Sequence, residues 1–248
     1  MHVKHGLRVD HYRDSHQSRT AAAAYRHTYE RGYYAALWKR VECPLLESVF
    51  RELGGAERTC LDFACGTGRI ATVAGRYFGE VVGVDISEAM LRYVPAQLNV
   101  EYFCTDITRT PLDRSFDVAT AFRFFLNAEA DLRTAALCAL YRHLVPGGRL
   151  VCNIHVNASS PMGLFYRLWD RTVGGAPHNT FRTGEFVELL RAHGFAAEQV
   201  RPYGYWPRPG PLMPKLCELA IEPTEKICSA LKVPGAIAQN VLIVARKS

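Results

Sequence analysis

The sequence lacks the features that would indicate a membrane protein, a disulfide framework or a zinc site. Its longest apolar runs, such as Val241–Ala245, are far shorter than the roughly 18–20 residues that a bilayer span requires. The first residues, Met1–His5, have no apolar signal-peptide core. None of the eight cysteines forms a Cys-x-x-Cys pair. These absences predict a reduced, cytoplasmic protein with no metal ion and no membrane partner.

The chain also lacks a dense cluster of charge of one sign. It carries 30 Lys and Arg against 24 Asp and Glu, a net charge of +6, and both signs are interspersed beyond the first 31 residues. A nucleic-acid-binding protein usually concentrates its basic residues in one patch, so nucleic acid is not an expected partner. The hydrophobic fraction of 48% excludes disorder. We predict a flexible polar arm over residues 1–20 and one domain over 21–248.

Short apolar runs alternate with amphipathic stretches from Thr59 onward. This alternation predicts a doubly wound α/β fold with helices on both faces of a mostly parallel sheet. The predicted strands are Thr59–Ala64, Val81–Asp85, Val100–Cys104, Phe116–Ala121, Arg149–His155, Phe195–Pro202 and Val241–Arg246.

Three segments do not follow this alternation. Residues 21–55 contain two helical patterns and predict an N-terminal helical cap, whereas residues 156–182 and 203–236 are irregular and predict two lid insertions. Both insertions are rich in aromatic residues. We expect these aromatic side chains to line an apolar acceptor pocket: Phe165, Tyr166, Trp169, Tyr203, Tyr205 and Trp206.

A glycine-rich turn between the first strand and the following helix is the strongest motif in the chain. It runs from Asp62 to Arg69 and contains Gly66-x-Gly68. Glycine allows a sharp turn and a close approach of a ligand to the backbone. Asp85 ends the second strand, 19 residues after Gly66, where it could accept hydrogen bonds from both hydroxyls of a ribose. Up to this point a nicotinamide dinucleotide and an adenosyl cofactor fit equally well.

Three further features favour an adenosyl cofactor over a dinucleotide. The carboxylate of Asp62 would repel a pyrophosphate but could help to hold an ammonium group. Asp106 follows the third strand and could accept a hydrogen bond from the amine of adenine. Pro146-Gly147-Gly148 separates the long helix from the fifth strand. For Asp85 and Asp106 the alternative is a structural role as helix caps, which aspartate also favours.

With these residues in place, the chain resembles the class I S-adenosylmethionine-dependent methyltransferases. The resemblance covers residues 59–155 closely and 183–246 by the order of strands and helices alone. It implies a seven-stranded Rossmann-like sheet with its last strand inserted antiparallel. It also implies S-adenosylmethionine as cofactor and S-adenosylhomocysteine as product.

The resemblance further implies roles for individual residues. The methionine part of the cofactor would contact the glycine-rich turn, the ribose would contact Asp85, and the adenine and sulfonium would contact the residues that follow. The implied cofactor residues are Asp62, Ala64, Gly66, Gly68, Asp85, Ile86, Met90, Asp106, Ile107, Ala121 and Phe122.

Tyr25, Tyr29 and Tyr33 follow one another at intervals of four and would share one face of a helix. Such a stripe is usually buried in a core. Because a buried tyrosine hydroxyl needs a partner, we also expect this helix to cover the cofactor, with Tyr25 or Tyr33 on its carboxylate.

Two residues are candidates for a role in catalysis. His155 ends the fifth strand, where open α/β sheets bind ligands, and could act as a general base or could bond a loop carbonyl. Arg123, after the fourth strand, could pair with an anionic substrate or with an acidic residue of the N-terminal helices. The sequence around it, Ala121-Phe122-Arg123-Phe124, lacks the Asn/Asp-Pro-Pro-aromatic motif by which methyltransferases of adenine and glutamine amino groups resemble one another.

We therefore expect methyl transfer to a small molecule, at oxygen, by in-line displacement. The alternatives are an RNA or protein methyltransferase, a relative that binds the cofactor without transferring its methyl group, and a nicotinamide oxidoreductase. The acceptor, the atom that is methylated and the oligomeric state are not indicated by the sequence.

Overall fold

The computed structural model describes residues 12–15, 27–30, 32–172, 179–206 and 214–248. Seven strands form one sheet in the order β3-β2-β1-β4-β5-β7-β6. The strands are β1 Gly55–Phe63, β2 Phe78–Asp85, β3 Val100–Cys104, β4 Phe116–Ala121, β5 Leu144–Ile154, β6 Phe195–Tyr203 and β7 Asn240–Lys247. Strands β1 to β5 pair in parallel, and β7 lies antiparallel between β5 and β6. The predicted fold class is confirmed, including the antiparallel last strand.

Helices connect the strands and flank the sheet. The helices are α1 Tyr12–Ser15, α2 Gly32–Leu37, α3 Cys43–Leu53, α4 Arg69–Ala74, α5 Glu88–Leu91, α6 Ala130–His143, α7 Pro161–Thr172, α8 Thr183–Ala192 and α9 Pro214–Ala230. A π-helical turn, Trp38–Glu42, joins α2 to α3, and a 3₁₀ turn, Gly235–Ile237, precedes β7. Helices α7 and α9 lie within the two segments for which we predict lid insertions.

Both faces of the sheet are buried, which explains why its strands read as continuous apolar runs. Consecutive residues of a strand point to opposite faces, and they enter two different clusters of buried side chains. Leu61 and Val82 belong to one cluster, and their neighbours Cys60 and Val81 belong to the other. The two clusters place the sheet at the centre of three layers.

Four strands begin earlier than the sequence predicts, β2 by three residues and β7 by one, and β1 and β5 by four and five. Strand β1 starts at Gly55 instead of Thr59, with a shift in its register against β2 between these two residues. Strand β5 starts at Leu144, so it includes the Pro-Gly-Gly segment that we predicted to precede it. Gly147 has a φ of 73°, and the pairing of β5 with β4 shifts at this point. The Pro-Gly-Gly segment thus forms an irregularity within β5, and the pairing with β4 resumes at Arg149.

The structure describes a short part of the N-terminal segment for which we predict a flexible arm. Tyr12–Ser15 forms a short helix. The ring of Tyr12 packs edge-on against Phe124 at 5.5 Å, and its backbone N–H donates to Glu129 at 2.6 Å. These contacts place α1 against the ends of the strands, and the flexible arm over residues 1–20 stays a prediction.

Within the described ranges, no helix combines the length and apolar character needed to cross a bilayer.

Candidate functional site

A cavity of about 420 Å³ opens at the carboxyl ends of the central strands. It lies where β2 and β4 diverge on either side of β1, the point at which open α/β sheets bind ligands. Its volume is in the range of small-molecule sites. Nine of the predicted site residues line it: Ala64, Gly66, Asp85, Ile86, Met90, Asp106, Phe122, Arg123 and His155.

Only part of the glycine-rich turn lines the cavity. Ala64, Gly66 and Gly68 all have positive φ angles, of 53°, 57° and 75°. Gly66 lines the cavity, and its N–H donates to Asp85 Oδ2 at 2.8 Å. Gly68 does not line the cavity, because Tyr102 occupies the space beside it. A Cβ atom at Gly68 would lie 2.6 Å from the Tyr102 hydroxyl oxygen. The predicted cofactor contact of Gly68 is therefore corrected to a packing role.

Asp62 does not reach the cavity either. Its side chain is buried, where Oδ2 accepts the N–H of Ala71 at 2.9 Å and Oδ1 accepts the Thr120 hydroxyl at 2.7 Å. The carboxylate thus joins β1 to β4 and to the start of α4. The predicted contact of Asp62 with the methionine part of the cofactor is corrected accordingly. Burial raises the pKa of Asp62 to about 7, although both hydrogen bonds act in the opposite direction.

This raised pKa predicts a pH dependence of stability. The folded chain keeps a proton on Asp62 that the unfolded chain loses near its ordinary pKa of 3.8. The contribution of Asp62 to stability is therefore complete below that pH and is lost as the pH rises towards 7. Between pH 3.8 and about 7, the titration of Asp62 should lower the free energy of unfolding by up to about 1.4 kcal/mol per pH unit.

The isosteric variant Asp62→Asn tests this prediction. Its amide keeps an oxygen for the N–H of Ala71 and does not titrate, so its stability should lack this fall. Urea unfolding of both proteins at several pH values between 4 and 8 measures the difference. Parallel pH profiles for the two proteins would contradict the assignment.

Asp85 ends β2 with its carboxylate at the cavity wall. One oxygen accepts the N–H of Gly66, and the other accepts the N–H of Ser87 at 2.8 Å. The side chain of Ser87 caps α5 by accepting the N–H of Met90. The aspartate thus braces the glycine-rich turn and the start of α5 while it lines the cavity. Its predicted contact with a ribose stays a prediction.

Asp106 also lines the cavity, but its carboxylate already accepts a hydrogen bond from Arg13 of α1. Oδ2 accepts Arg13 Nε at 3.0 Å, and Oδ1 accepts the Thr108 N–H and hydroxyl at 3.0 and 2.6 Å. Arg13 itself belongs to the cavity wall. Partial burial raises the pKa of Asp106, but the bonds from Thr108 and the charge of Arg13 outweigh it and lower the pKa below its ordinary value. The carboxylate is thus held in its charged, hydrogen-bond-accepting form.

Three more of the predicted cofactor residues, Ile107, Ala121 and Tyr33, do not line the cavity. Ile107 and Ala121 are fully buried in a core cluster, so their predicted contacts are corrected. Tyr33 is buried in the other cluster, where its hydroxyl lies 3.5 Å from the Trp206 carbonyl. Tyr29 and Tyr34 line the cavity where we expected Tyr33. Tyr25 lies outside the described residues.

A buried carboxylate behind the cavity holds several elements together. Glu42 is fully buried in the π-helical turn, and its Oε1 accepts the Tyr203 hydroxyl at 2.5 Å and the Asn153 amide at 3.1 Å. Its Oε2 lies 3.3 Å from Arg69 and 3.7 Å from Arg123. Of the two alternatives for Arg123, the structure thus contains the pairing with an acidic residue of the N-terminal helices.

The position of Arg123 depends on this network. Its φ of 56° is strained for a residue with a side chain, and its N–H donates to Asn153 Oδ1 at 2.8 Å. Its guanidinium lies 5.3 Å from the ring centre of Tyr29 and 5.1 Å from that of Tyr34. Charge, backbone and ring contacts together hold Arg123 in the cavity wall.

The aromatic residues of the insertions contribute less than expected to the cavity. Tyr166 lines it, whereas Phe165 and Trp169 are about half exposed and do not line it. Tyr203 belongs to the Glu42 network, and neither Tyr205 nor Trp206 lies in the cavity wall. Of the aromatic residues that we expected to line an acceptor pocket, Tyr166 lies in the cavity wall. Other apolar residues of the same wall are Tyr12, Phe122, Phe124, Leu132 and Val156.

Sequence reasoning missed Glu42, Tyr12 and Arg13. One feature of the sequence could have indicated the role of Glu42. It interrupts an apolar run from Val41 to Leu46, and a charged residue in such a position needs a buried partner. Nothing in the polar segment around Arg13 indicated that it would pair with Asp106.

Comparison with known proteins identifies a domain in the first two thirds of the chain. A family model described as "Methyltransferase domain" matches residues 60–148, which include the turn, Asp85 and Asp106. A cypemycin N-terminal methyltransferase from Streptomyces is 38% identical over 106 residues, 41% of this chain and 42% of the relative. A ubiquinone/menaquinone biosynthesis C-methyltransferase from Escherichia coli is 36% identical over 130 residues, 46% of this chain and 47% of the relative. The chain thus spans less than half the length of these curated relatives.

Solved structures resemble the fold over nearly the whole chain. A magnesium protoporphyrin IX methyltransferase from Synechocystis with bound S-adenosylhomocysteine has a TM-score of 0.65 at 15% identity, covering 95% of this chain and 98% of the other. A [4+2]-cyclase has a TM-score of 0.63 at 18% identity, covering 96% of each chain. The fold is therefore the Rossmann-like methyltransferase fold, which also occurs in a [4+2]-cyclase.

The matched domain and the fold agree with the motifs of the sequence. The chain thus contains a methyltransferase domain over residues 60–148, and its fold is that of the class I S-adenosylmethionine-dependent methyltransferases.

Proposed function

We propose that this protein transfers the methyl group of S-adenosylmethionine to an oxygen atom of a small, mainly apolar acceptor. One observation carries the proposal. A single cavity joins the glycine-rich turn, with Asp85 and Asp106, to an apolar wall that contains Phe122, Phe124 and Tyr166. Such a cavity could hold an adenosyl group and an acceptor side by side.

The hydrogen bonds around the turn favour an adenosyl cofactor over a dinucleotide. A pyrophosphate would need the free N–H groups of the turn and of the first helical residues. In this chain the N–H of Gly66 donates to Asp85, and the N–H of Ala71 donates to Asp62. The carboxyl groups of Asp85 and Asp62 thus occupy donors that a pyrophosphate would require. The carboxylates of Asp85 and Asp106 remain suited to ribose hydroxyls and to an adenine amine.

The sulfonium of the cofactor supplies an electrophilic methyl group, so the protein mainly has to position the acceptor and exclude water. The apolar wall would orient the acceptor. His155 lines the same cavity just after β5 and could accept the proton of an acceptor hydroxyl. Arg123 would contribute a positive charge that favours the oxygen anion.

The assignment of His155 predicts a specific kinetic defect. After a mass-shift screen has identified an acceptor, His155→Gln should lower kcat by roughly 10²- to 10⁴-fold, the usual contribution of a general base. The KM for S-adenosylmethionine should change little, and the rise of kcat with pH that the base produces should disappear.

His193→Gln is the matched control, since His193 bonds the carbonyl of Leu189 at the end of α8 and does not line the cavity. Full activity of His155→Gln would refute the role of the base, and a methyl group found on nitrogen or carbon would refute the oxygen assignment.

Two other functions are distinguished by the same assay. The Streptomyces relative is named an N-terminal methyltransferase, so a mass shift on the N-terminal amine of a peptide in the screen would favour a protein substrate. The cyclase with the same fold makes a relative without transferase activity a specific alternative. Binding of S-adenosylmethionine without formation of S-adenosylhomocysteine, across the screen, would support that alternative.

A further inference from the structure

Strand β7 begins with a buried amide. Asn240 is fully buried, and the residues that follow it, Val241–Ala245, are all apolar. Neither Nδ2 nor Oδ1 of Asn240 has a hydrogen-bond partner in the part of the chain that the structure describes. The buried Asn153 and Asn157, in contrast, each use both amide atoms in hydrogen bonds. An unpaired buried amide reduces stability, so a role in function explains Asn240 better than a role in folding.

Strands β5 and β7 stay connected beyond the end of β5. Ile154, the last residue of β5, pairs with Val241. Further along, the N–H of Asn157 donates to the carbonyl of Gln239 at 2.8 Å. Between these two contacts, two residues of one chain oppose a single residue of the other, as in a β-bulge. Bulges are frequent next to active sites, where they change the direction of a side chain.

His155 and Val156 are the two residues on one side of this bulge, and Asn240 is the residue opposite. Val156 belongs to one buried cluster, so the alternation of a strand directs His155 to the other face of the sheet. The amide of Asn240 lies on that face, because a Cβ atom at Gly204 would collide with its Nδ2 and would touch Leu37 of the second cluster. Side chains opposite each other on one face of an antiparallel pair have Cβ atoms about 4.5–5.5 Å apart. The amide of Asn240 is thus within reach of the imidazole of His155.

The two ring nitrogens of His155 have different surroundings. Nδ1 is buried, although the residue lines the cavity. Nε2 is therefore the nitrogen that would face an acceptor. A neutral imidazole carries its proton on one nitrogen and accepts with the other, so Nε2 can accept a proton only in the tautomer with the hydrogen on Nδ1. A hydrogen-bond acceptor beside Nδ1 selects that tautomer.

We propose that Asn240 is the positioning residue of His155. Its amide oxygen accepts the N–H of His155 Nδ1 and so keeps Nε2 unprotonated and directed at the acceptor. Asn240 is not part of the cavity wall, so it acts through His155 and does not touch the acceptor. In the structure the amide nitrogen packs beside Gly204, and the bond requires a rotation of the Asn240 side chain. Such bonds often form fully only when the site is occupied.

This inference rests on the proposed function, in which His155 is the base. During transfer the proton of the acceptor hydroxyl passes to Nε2 as the oxygen forms its bond to the methyl carbon. The electron pair of the broken carbon–sulfur bond stays on sulfur. The imidazolium of His155 then carries both protons, and the bond from Nδ1 to the neutral amide is kept until Nε2 returns its proton to water.

NMR of the full chain with ¹⁵N-labelled histidine rings tests the proposal. The shifts of the two ring nitrogens distinguish the tautomers, and the signals of His155 are those that disappear in His155→Gln. With S-adenosylhomocysteine present, we expect the Nδ1–H tautomer in the unchanged protein and its loss in Asn240→Leu. Asn240→Asp keeps an acceptor oxygen at this position and should restore it. An Nε2–H tautomer in the unchanged protein would overturn the proposal, as would equal tautomer populations in the unchanged protein and Asn240→Leu.

Activity and stability should change in opposite directions in Asn240→Leu. Once an acceptor is identified, its kcat should fall by at least about tenfold, because the wrong tautomer of the base predominates. The KM for S-adenosylmethionine should stay the same. The thermal midpoint should not fall, because the substitution removes an unpaired buried amide. A lower thermal midpoint with unchanged kcat would show a purely structural role and overturn the proposal.

Gln239→Leu is the matched control. Gln239 is a buried amide directly beside Asn240, but its nitrogen donates to the carbonyl of Trp206, which follows β6 and lies away from β5. This variant should keep both the tautomer of His155 and the kcat of the unchanged protein. If it changed them as much as Asn240→Leu does, the specific role of Asn240 would be refuted.

The failure of the proposed function is distinguishable from the failure of this inference. The tautomer of His155 is also measured without ligand, so it does not depend on activity. If His155→Gln keeps full activity while the tautomer still depends on Asn240, the base fails and the contact between the two residues stands. If His155→Gln is inactive while Asn240→Leu keeps the tautomer and full activity, the base stands and Asn240 has no positioning role.

Discussion

Replacing Asp85 by alanine is expected to weaken binding of S-adenosylhomocysteine by roughly 10- to 150-fold. Hydrogen bonds to a charged group contribute about 1.5–3 kcal/mol, and the substitution removes the carboxylate that would accept from the ribose. It also releases the N–H groups of Gly66 and Ser87, which Asp85 now accepts at 2.8 Å. Isothermal titration calorimetry measures the change in Kd.

Two comparisons make this result specific. Asp85→Asn keeps one acceptor oxygen at the same place, so its affinity should fall between those of the unchanged protein and Asp85→Ala. Glu88→Ala removes a nearby carboxylate whose side chain is 74% exposed and paired with Arg92, so its Kd should stay the same. An unchanged Kd for Asp85→Ala would refute the ribose assignment.

Replacing Glu42 by glutamine is expected to reduce the free energy of unfolding by about 3–5 kcal/mol, the usual cost of removing one partner from a buried ion pair. The substitution leaves the guanidinium groups of Arg69 and Arg123 in a buried site without their shared negative charge. It also disturbs the bonds from Tyr203 and Asn153. Urea unfolding measures the loss.

Glu47→Gln is the matched control for this prediction. Glu47 lies on α3, close to Glu42 in sequence, and forms a single ion pair with Arg76 at 3.0 Å near the surface. A pair of this kind contributes about 0–1 kcal/mol. If both substitutions lowered the free energy of unfolding equally, the buried Glu42 network would contribute no more to stability than a surface ion pair.

The Glu42 network also predicts loss of stability in acid. Burial raises the pKa of Glu42, but the charges of Arg123 and Arg69 and the hydrogen bond from Tyr203 outweigh it, so the pKa lies below its ordinary value. For a carboxyl group whose pKa is lowered by folding, the stabilisation is present above the unfolded pKa and is lost as the pH falls through the folded value. Asp62, whose pKa is raised, has the opposite dependence.

The success and failure of the site predictions have a common physical basis. Ala64, Asp85, Asp106, Arg123 and His155 lie at or just beyond the carboxyl ends of strands, and parallel strands bring these ends to one edge of the sheet. Their presence in one cavity therefore followed from the strand pattern, once the order of the strands was assumed.

The errors concern residues whose role depends on what lies beside them. Asp62 and Gly68 belong to the same turn as Gly66, but a hydrogen bond to Thr120 and the ring of Tyr102 occupy the space around them. Tyr29 and Tyr34 took the place expected for Tyr33 because the direction of a helix face cannot be derived from spacing alone. A short stretch of sequence specifies neither which ring packs beside a glycine nor how a helix is rotated about its own axis.

By itself, the sequence determined the alternation of strands and helices, the strained glycine-rich turn and the residues that close each strand, because backbone preference and hydrophobic period act over a few positions. Only the tertiary structure decided that α1 contacts Asp106, that Glu42 binds two arginines and that Asn240 lies opposite His155. Each of these features joins residues that are distant along the chain. Such relations are set by packing, which no short stretch of sequence contains.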